Sequence, residues 1–290
     1  MKWVRRLLVG AVAVAVLLAA VMWFAGAQLS RPARREIGAP PSTLQAQALR
    51  IPMDEGGSVA GWFHRGQPGG GAVLLLHGVR GDRTAMVGRA EPLVAVGYSV
   101  LLIDLPAHGE SDGDRITFGA HEAAGVRAAL AWMHQQLPGE RTGVIGVSLG
   151  AAAFVLAHAE PQPDAVVLEM MYPTIRQAVE DRLAMRLGVP GRALAPLLLW
   201  QLPLRTNVSE QDLRPIDALR DLHAPLLIMA GTRDEHTRWA ETQAIFAAAN
   251  APKLLWPVDG AVHQDLQAFA PKAYEMQVMS FLEERLHGPH

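Results

Sequence analysis

Between Thr142 and Ala157 the chain reads TGVIGVSLGAAAFVLA, and its serine, Ser148, has a glycine two residues away on each side, Gly146 and Gly150. A hydroxyl set between two glycines after an apolar run fits a sharp turn from strand to helix, where a Cβ at either glycine position would crowd the neighbouring chain. Such a turn carries the serine oxygen clear of the sheet, within reach of an electrophilic carbon. A plain glycine turn in an α/β protein has the same letters. The serine carries chemistry only if the chain also supplies a base, an acid to orient that base, and donors for an oxyanion.

Candidates for each stand at the ends of other apolar runs. PLLIMAGTRDEHT turns through Gly231 into Asp234, and PKLLWPVDGAVHQDL leads from the last apolar run to His263. Of the eleven histidines, His263 is the one that follows that run within a short loop; His64, His121, His134 and His158 have no such placement. His77 and His108 fall in strand-end loops and are expected to fix loop geometry, while the role of His236 stays open. The chain order Ser148, Asp234, His263 is the nucleophile, acid, base order of one class of strand–turn–helix enzymes. In it Ser148 would attack, His263 would take its proton, and Asp234 would hold the imidazole in the right tautomer. AVLLLHGVRGD adds a glycine loop after the third run, so the backbone N–H groups of Val79 and Leu149 would face a developing oxyanion. Glu169, after DAVVLE, is the competing acid. Asp234 is preferred because it lies in a turn after the penultimate strand, whereas Glu169 can be read as structural.

The elements that must position these groups follow from periodicity. Apolar or alternating runs at Ala48–Pro52, Ala60–Phe63, Ala72–Leu76, Ser99–Ile103, Thr142–Val147, Ala165–Leu168, Leu226–Ala230 and Lys253–Trp256 read as strands. Several are continuous rather than alternating, as in strands covered on both faces. Helical patterns fall at Thr84–Val96, Phe118–Leu137, Leu149–His158, Arg238–Asn250 and Lys272–Leu286. This order predicts a mostly parallel sheet with functional groups at the carboxyl ends of its strands. Residues 172–222 hold no core strand and read as a small helical cap. Its run RALAPLLLWQLPL could present Leu197 to Trp200 to an acyl chain, or could simply pack the insertion onto the domain.

At 290 residues the chain suits one large domain, expected over 45–290 after a linker at 31–44. Its 26 Lys+Arg against 28 Asp+Glu, with no basic run in the body, give no footprint for nucleic acid. The absence of cysteine excludes disulfides, thiolate metal sites and a cysteine nucleophile. Residues 1–30 start basic at Lys2, Arg5 and Arg6 and continue uncharged from Leu7 to Ser30, with Trp3 and Trp23 near the two ends. That is long enough to cross a bilayer. A cleaved signal is the alternative, with Ala25-Gly26-Ala27 as its site, but the run exceeds a usual signal core. Either way the body is exported, and a retained anchor makes a single-pass membrane protein with its domain on the extracytoplasmic, periplasmic side.

The motifs HGVRGD, GYSVLLIDLPAHGESDG, GVSLG, GTRDEHT and VDGAVH, in this order, resemble those of the α/β-hydrolase superfamily over roughly Gln45 to His287. The tract GYSVLLIDLPAHGES looks most like the membrane-anchored bacterial branch related to BEM46-like proteins. The resemblance implies an eight-stranded sheet, a serine nucleophile, and neither cofactor nor metal. Two residues depart from it, Ala107 and Val262, each where glycine is common before a histidine. The expected function is hydrolysis of carboxylic esters or thioesters through an acyl-enzyme, with a small or lipid-like ester of an apolar acyl group as substrate. A peptidase or amidase with the same triad, and a membrane-tethered binding module with an inactive site, are the alternatives.

Overall fold

The computed structural model describes residues 2–54 and 56–287; Met1, first residue of the expected anchor, lies outside them, as do Glu55 and residues 288–290. One sheet of eight strands forms the centre: β1 Gln47–Pro52, β2 Ser58–His64, β3 Ala72–Leu76, β4 Ser99–Ile103, β5 Thr142–Val147, β6 Ala165–Glu169, β7 Leu226–Gly231 and β8 Lys253–Val258. Their order across the sheet is β8-β7-β6-β5-β3-β4-β2-β1. β2 pairs antiparallel with both β1 and β4, and every other neighbour is parallel.

Composition explains the layers. Every residue of β3, β4, β6 and β7 is buried, because these continuous apolar strands are covered on both faces. Alternate side chains divide between two cores. Leu74 and Leu76 of β3 pack with α3 (Ala120–Gln136) and α4 (Leu149–Leu156), while Val73 and Leu75 pack with α2 (Val87–Ala95) and the C-terminal helix Pro271–Leu286. The edge strands β1 and β8 are mostly exposed or half-buried.

Parallel register brings the functional loops to one edge. Leu76 of β3 pairs with Gly146 of β5, Gly146 with Leu168 of β6, and Leu168 with Ile228 of β7. The residues just beyond these pairs, His77 to Val79, Ser148, Met170 and the turn to Asp234, therefore emerge side by side. Between β6 and β7 lies a helical insertion of α5 (Ile175–Leu187), a 3-10 stretch Val189–Leu194, α6 (Ala195–Leu199), α7 (Leu202–Thr206) and α8 (Pro215–Ala218). It has a small core of its own, in which Ile175, Leu183, Leu199, Leu202 and Leu213 meet. The N-terminal helix α1 runs from Lys2 to Leu29 and is long and apolar enough to cross a membrane.

The segment expected as a free linker is tied down. Ala33 N–H donates to Ala107 O (2.8 Å), Arg35 N–H to Gly109 O (3.0 Å), and Ile37 N–H to Glu110 Oε1 (3.0 Å). Its partner loop after β4 explains one of the two departures: Ala107 sits at φ 63°, the left-handed region that favours glycine. Val262 is outside that region, so a side chain there costs the backbone nothing.

His77 ties β3 to β4. Its Nδ1–H donates to Gly78 O (2.7 Å) and its Nε2 accepts from the Leu105 N–H (3.0 Å), an arrangement only the neutral ring can make. Burial, and after it the neighbouring His108, pushes its pKa down to about 3. An unfolded chain takes up a proton near the ordinary value of about 6.5 that the native chain refuses until far lower pH, so stability falls as pH drops through that window. Urea unfolding followed from neutral pH to about pH 4 should show a falling midpoint, with a contribution from His77 of up to about 1.4 kcal/mol per pH unit. His77→Gln should flatten that slope by about one proton. An unchanged slope in the variant would show that His77 titrates normally in the native protein.

Candidate active site

Ser148 joins β5 to α4 with φ 49° and ψ −105°, a conformation that L-residues rarely adopt. The glycines beside it are required by close approach. A Cβ at Gly146 would lie 2.7 Å from Cα of Ala151, and one at Gly150 would lie 2.5 Å from the Leu76 carbonyl oxygen. Both contacts are with backbone, which cannot step aside. The turn is also held by Ser148 N–H, which donates to Glu169 O at the end of β6 (2.8 Å).

Asp234 and His263 meet across the loops after β7 and β8. His263 Nδ1–H donates to Asp234 Oδ2 (2.7 Å), and the other carboxylate oxygen accepts the N–H groups of His236 (2.8 Å) and Thr237 (2.9 Å). Asp234 is thereby fixed by its own loop, with its side chain wholly out of solvent, and His263 stays partly open. Gly231 permits the loop crossing, since a Cβ there would lie 2.2 Å from Ala261 O. The His236 ring stacks on that of His263 with centroids 4.8 Å apart, and burial followed by the facing His263 lowers the pKa of His236.

Ser148, His236 and His263 line one cleft of about 360 Å³, together with Gly78, Val79, Met170 and Arg182, with Asp234 behind the His263 ring. Gly78 stands beside Ser148; a Cβ on it would lie 3.7 Å from that of Ser148. The following Val79 N–H makes no backbone hydrogen bond among the described residues, and Leu149 begins α4, where an amide has no intrahelical acceptor. Among the described residues no group of three or more metal-ligating side chains occurs.

Of the two readings of the cap's apolar run, presentation to the cleft and packing of the insertion, Leu199 follows the second. None of Leu197 to Trp200 lines the cleft, and Leu199 is instead buried in the cap's own core. The cap contributes Arg182 of α5, whose Nη1 donates to Ala178 O in its own helix (2.9 Å) and whose guanidinium forms no ion pair with a carboxylate among the described residues. Burial pushes its pKa below the usual arginine value. Sequence reasoning missed Arg182 because nothing in IRQAVEDRLAMRL separates it from Arg176, which pairs with Glu210 (2.5 Å) on the surface. His236 carried a signal, its place two residues after Asp234.

Glu169 is fully engaged elsewhere. Its oxygens accept Arg89 Nε (2.9 Å) and Nη2 (2.7 Å), and Oε1 also accepts the Tyr274 hydroxyl (2.6 Å). None of these partners is an imidazole; Glu169 closes a buried ion pair with Arg89, both side chains almost inaccessible.

Comparison with known proteins agrees with this architecture. The chain matches the X-Pro dipeptidyl-peptidase (S15) family over residues 75–180. It is 28% identical to an uncharacterized protein of Mycobacterium tuberculosis over 93% of each chain. The structure of the Pyrococcus furiosus esterase Pf2001 superposes with a TM-score of 0.71 at 24% identity, covering 88% of this chain and all of that one (100%). A lidless serine hydrolase of Xanthomonas campestris gives 0.60 at 14% identity, covering 88% and 100%. The fold is that of the α/β-hydrolases.

Within that fold, the two carboxylates are separable by experiment. Glu169→Gln should lower stability by about 2 kcal/mol or more, because it takes the buried carboxylate from a guanidinium that then keeps only the half-exposed Asp265 (3.0 Å) as counter-charge. Asp234→Asn should leave the unfolding midpoint nearly unchanged while lowering turnover. Thermal unfolding of both variants checks this, and a destabilised Asp234→Asn beside a stable Glu169→Gln would reverse the two assignments.

Proposed function

We propose that this α/β-hydrolase-fold protein is a serine hydrolase of carboxylic esters or thioesters. The observation that carries the reading is one cleft lined by both a serine held at positive φ and an imidazole whose Nδ1–H is fixed by a buried carboxylate behind it. In the reaction, Ser148 Oγ bonds to the acyl carbon as its proton passes to Nε2 of His263. Asp234 stabilises the imidazolium, and the N–H groups of Val79 and Leu149 hold the oxyanion. Collapse breaks the bond to the alcohol or thiol, which leaves with the proton from His263. Water, deprotonated by the same nitrogen, then releases the acyl group as acid and restores Ser148.

The walls supplied by Val79, Met86, Val147 and Met170 suit an apolar acyl group. A peptidase reading has one specific support, the S15 match across the nucleophile segment. The tract Gly97–Ser111 keeps the resemblance to the BEM46-like branch, and α1 is read as a retained anchor with the domain on the extracytoplasmic side. Retention is supported by the grip of the domain on the helix, since the Met22 and Trp23 carbonyls accept from Gln201 (2.8 Å) and Arg205 (2.5 Å).

Profiling the purified full chain against p-nitrophenyl esters of rising chain length, beside peptide p-nitroanilides, tests the reading. Ester turnover should dominate. Ser148→Ala should lower it by about 10⁶ and Asp234→Asn by about 10⁴, the sizes found when such triads are dismantled elsewhere. Turnover of the anilides alone would establish the peptidase instead, and a folded Ser148→Ala with undiminished esterase activity would refute the mechanism.

A further inference from the structure

The apolar run that does not reach the cleft has another surface to cover. α6 and α7 follow one another through Trp200 (φ −54°, ψ −35°) and Gln201 (φ −84°, ψ −8°), so the stretch stays near-helical and residues four apart share a face. One face, Gln201 and Arg205, grips the end of α1. Gln201 Nε2–H donates to Met22 O, Arg205 donates to Trp23 O, and the Arg205 guanidinium stacks 4.0 Å over the Trp23 ring. Gly26 makes room for this, since a Cβ there would lie 2.4 Å from Gln201 Oε1.

Beside that face runs an apolar stripe. Leu197, Trp200 and Leu204 are spaced i, i+3, i+7, and Trp200 and Leu204 are 68% and 63% exposed. Leu187 and Val189, at the end of α5 and the turn after it, add to the exposed surface, Val189 at 75%. From Val189 to Leu204 the only formal charge is Arg192, and its guanidinium is drawn inward to Asp181 (2.9 Å). A monomer in water rarely leaves so many large apolar side chains together in the open.

The neighbouring helix says what covers them. Trp3 and Trp23 lie twenty residues apart on α1, about 30 Å along a helix axis, which matches the hydrocarbon core of a bilayer. Trp23 then stands at an interface, where indoles concentrate, and the apolar stripe, adjoining the face through which Gln201 and Arg205 hold Met22 and Trp23, lies near that depth. Short, proline-started helices with one apolar face suit an element lying in the membrane plane.

We propose that Leu187, Val189, Leu197, Trp200 and Leu204 form a second membrane contact, seating the cap in the interface of the bilayer that α1 crosses. This rests on reading α1 as a retained span and is independent of the reaction at Ser148. α5 then joins the two sites, for it carries Arg182 in the cleft and ends five residues later at Leu187, about 7.5 Å along the helix. The cleft wall is fixed relative to the lipid surface, and an ester presented at that surface lies close to the serine.

The chain contains no cysteine, so single spin labels need no background removal. Full-length protein would be labelled at Trp200→Cys, Leu204→Cys, Val14→Cys in the span and Lys272→Cys on the domain, then placed in phosphatidylcholine–phosphatidylglycerol vesicles. Collision with oxygen relative to a water-soluble nickel chelate should rank Val14 highest, positions 200 and 204 between, and Lys272 lowest. Ester turnover of each variant reports that it is folded. Labels at 200 and 204 that match Lys272 would overturn the second contact while leaving the anchor standing. Labels there shielded from both reagents would mean a protein partner and would equally overturn it. A water-exposed Val14 would remove the anchor and the proposal together.

Discussion

The site depends on one backbone conformation, the left-handed turn at Ser148. Such a turn costs on the order of 1 to 3 kcal/mol and persists only where its surroundings over-determine it. Here the surroundings are backbone on three sides: Ala151 against Gly146, the carbonyl of Leu76 against Gly150, and Glu169 O on the Ser148 amide. Strands β3, β5 and β6 are thus packed around the elbow at distances that tolerate no side chain at either glycine. Relaxing the turn would draw Ser148 back from the cleft it lines.

A second regularity lies in how the buried carboxylates at the strand ends are neutralised. Asp104, after β4, is closed by the Arg83 side chain and the Arg83 and Glu110 amides (2.7 and 2.9 Å). Glu169, ending β6, is closed by Arg89 and Tyr274. Asp234, after β7, has an imidazole in place of a guanidinium. An arginine cannot give up its proton, so the first two pairs are fixed supports. An imidazole has a second ring nitrogen that can accept a proton, so the third pair differs from the other two in kind. The proposed chemistry rests on which basic side chain each acid faces.

Much of this was legible beforehand because it depends on local signals. All eight strands are marked by apolar runs, and the elbow by glycines whose spacing reflects close backbone approach. The order of Ser148, Asp234 and His263 could be read because each follows a strand whose end is visible in the chain. The cap was legible as an insertion but not in its contacts. Composition makes Leu197 to Trp200 apolar without saying whether a cleft, a core or a membrane covers them, and the answer depends on Gln201 and Arg205 meeting carbonyls of Met22 and Trp23 far away in sequence. The same limit hid Arg182, which lines the cleft and forms no ion pair with a carboxylate among the described residues. The segment after α1 read as a linker because proline and arginine suggest looseness, whereas its N–H groups find carbonyls in the loop after β4.

The central claim is that the hydroxyl of Ser148 is activated by a histidine that Asp234 holds in place. The most direct measurement is reaction of the full-length protein with a fluorophosphonate, followed by peptide mass spectrometry. The account requires one phosphonyl adduct, on Ser148, formed at a rate that falls sharply in His263→Ala even though the serine is retained. An unmodified Ser148 in folded protein, or an adduct whose rate is indifferent to His263, would contradict it.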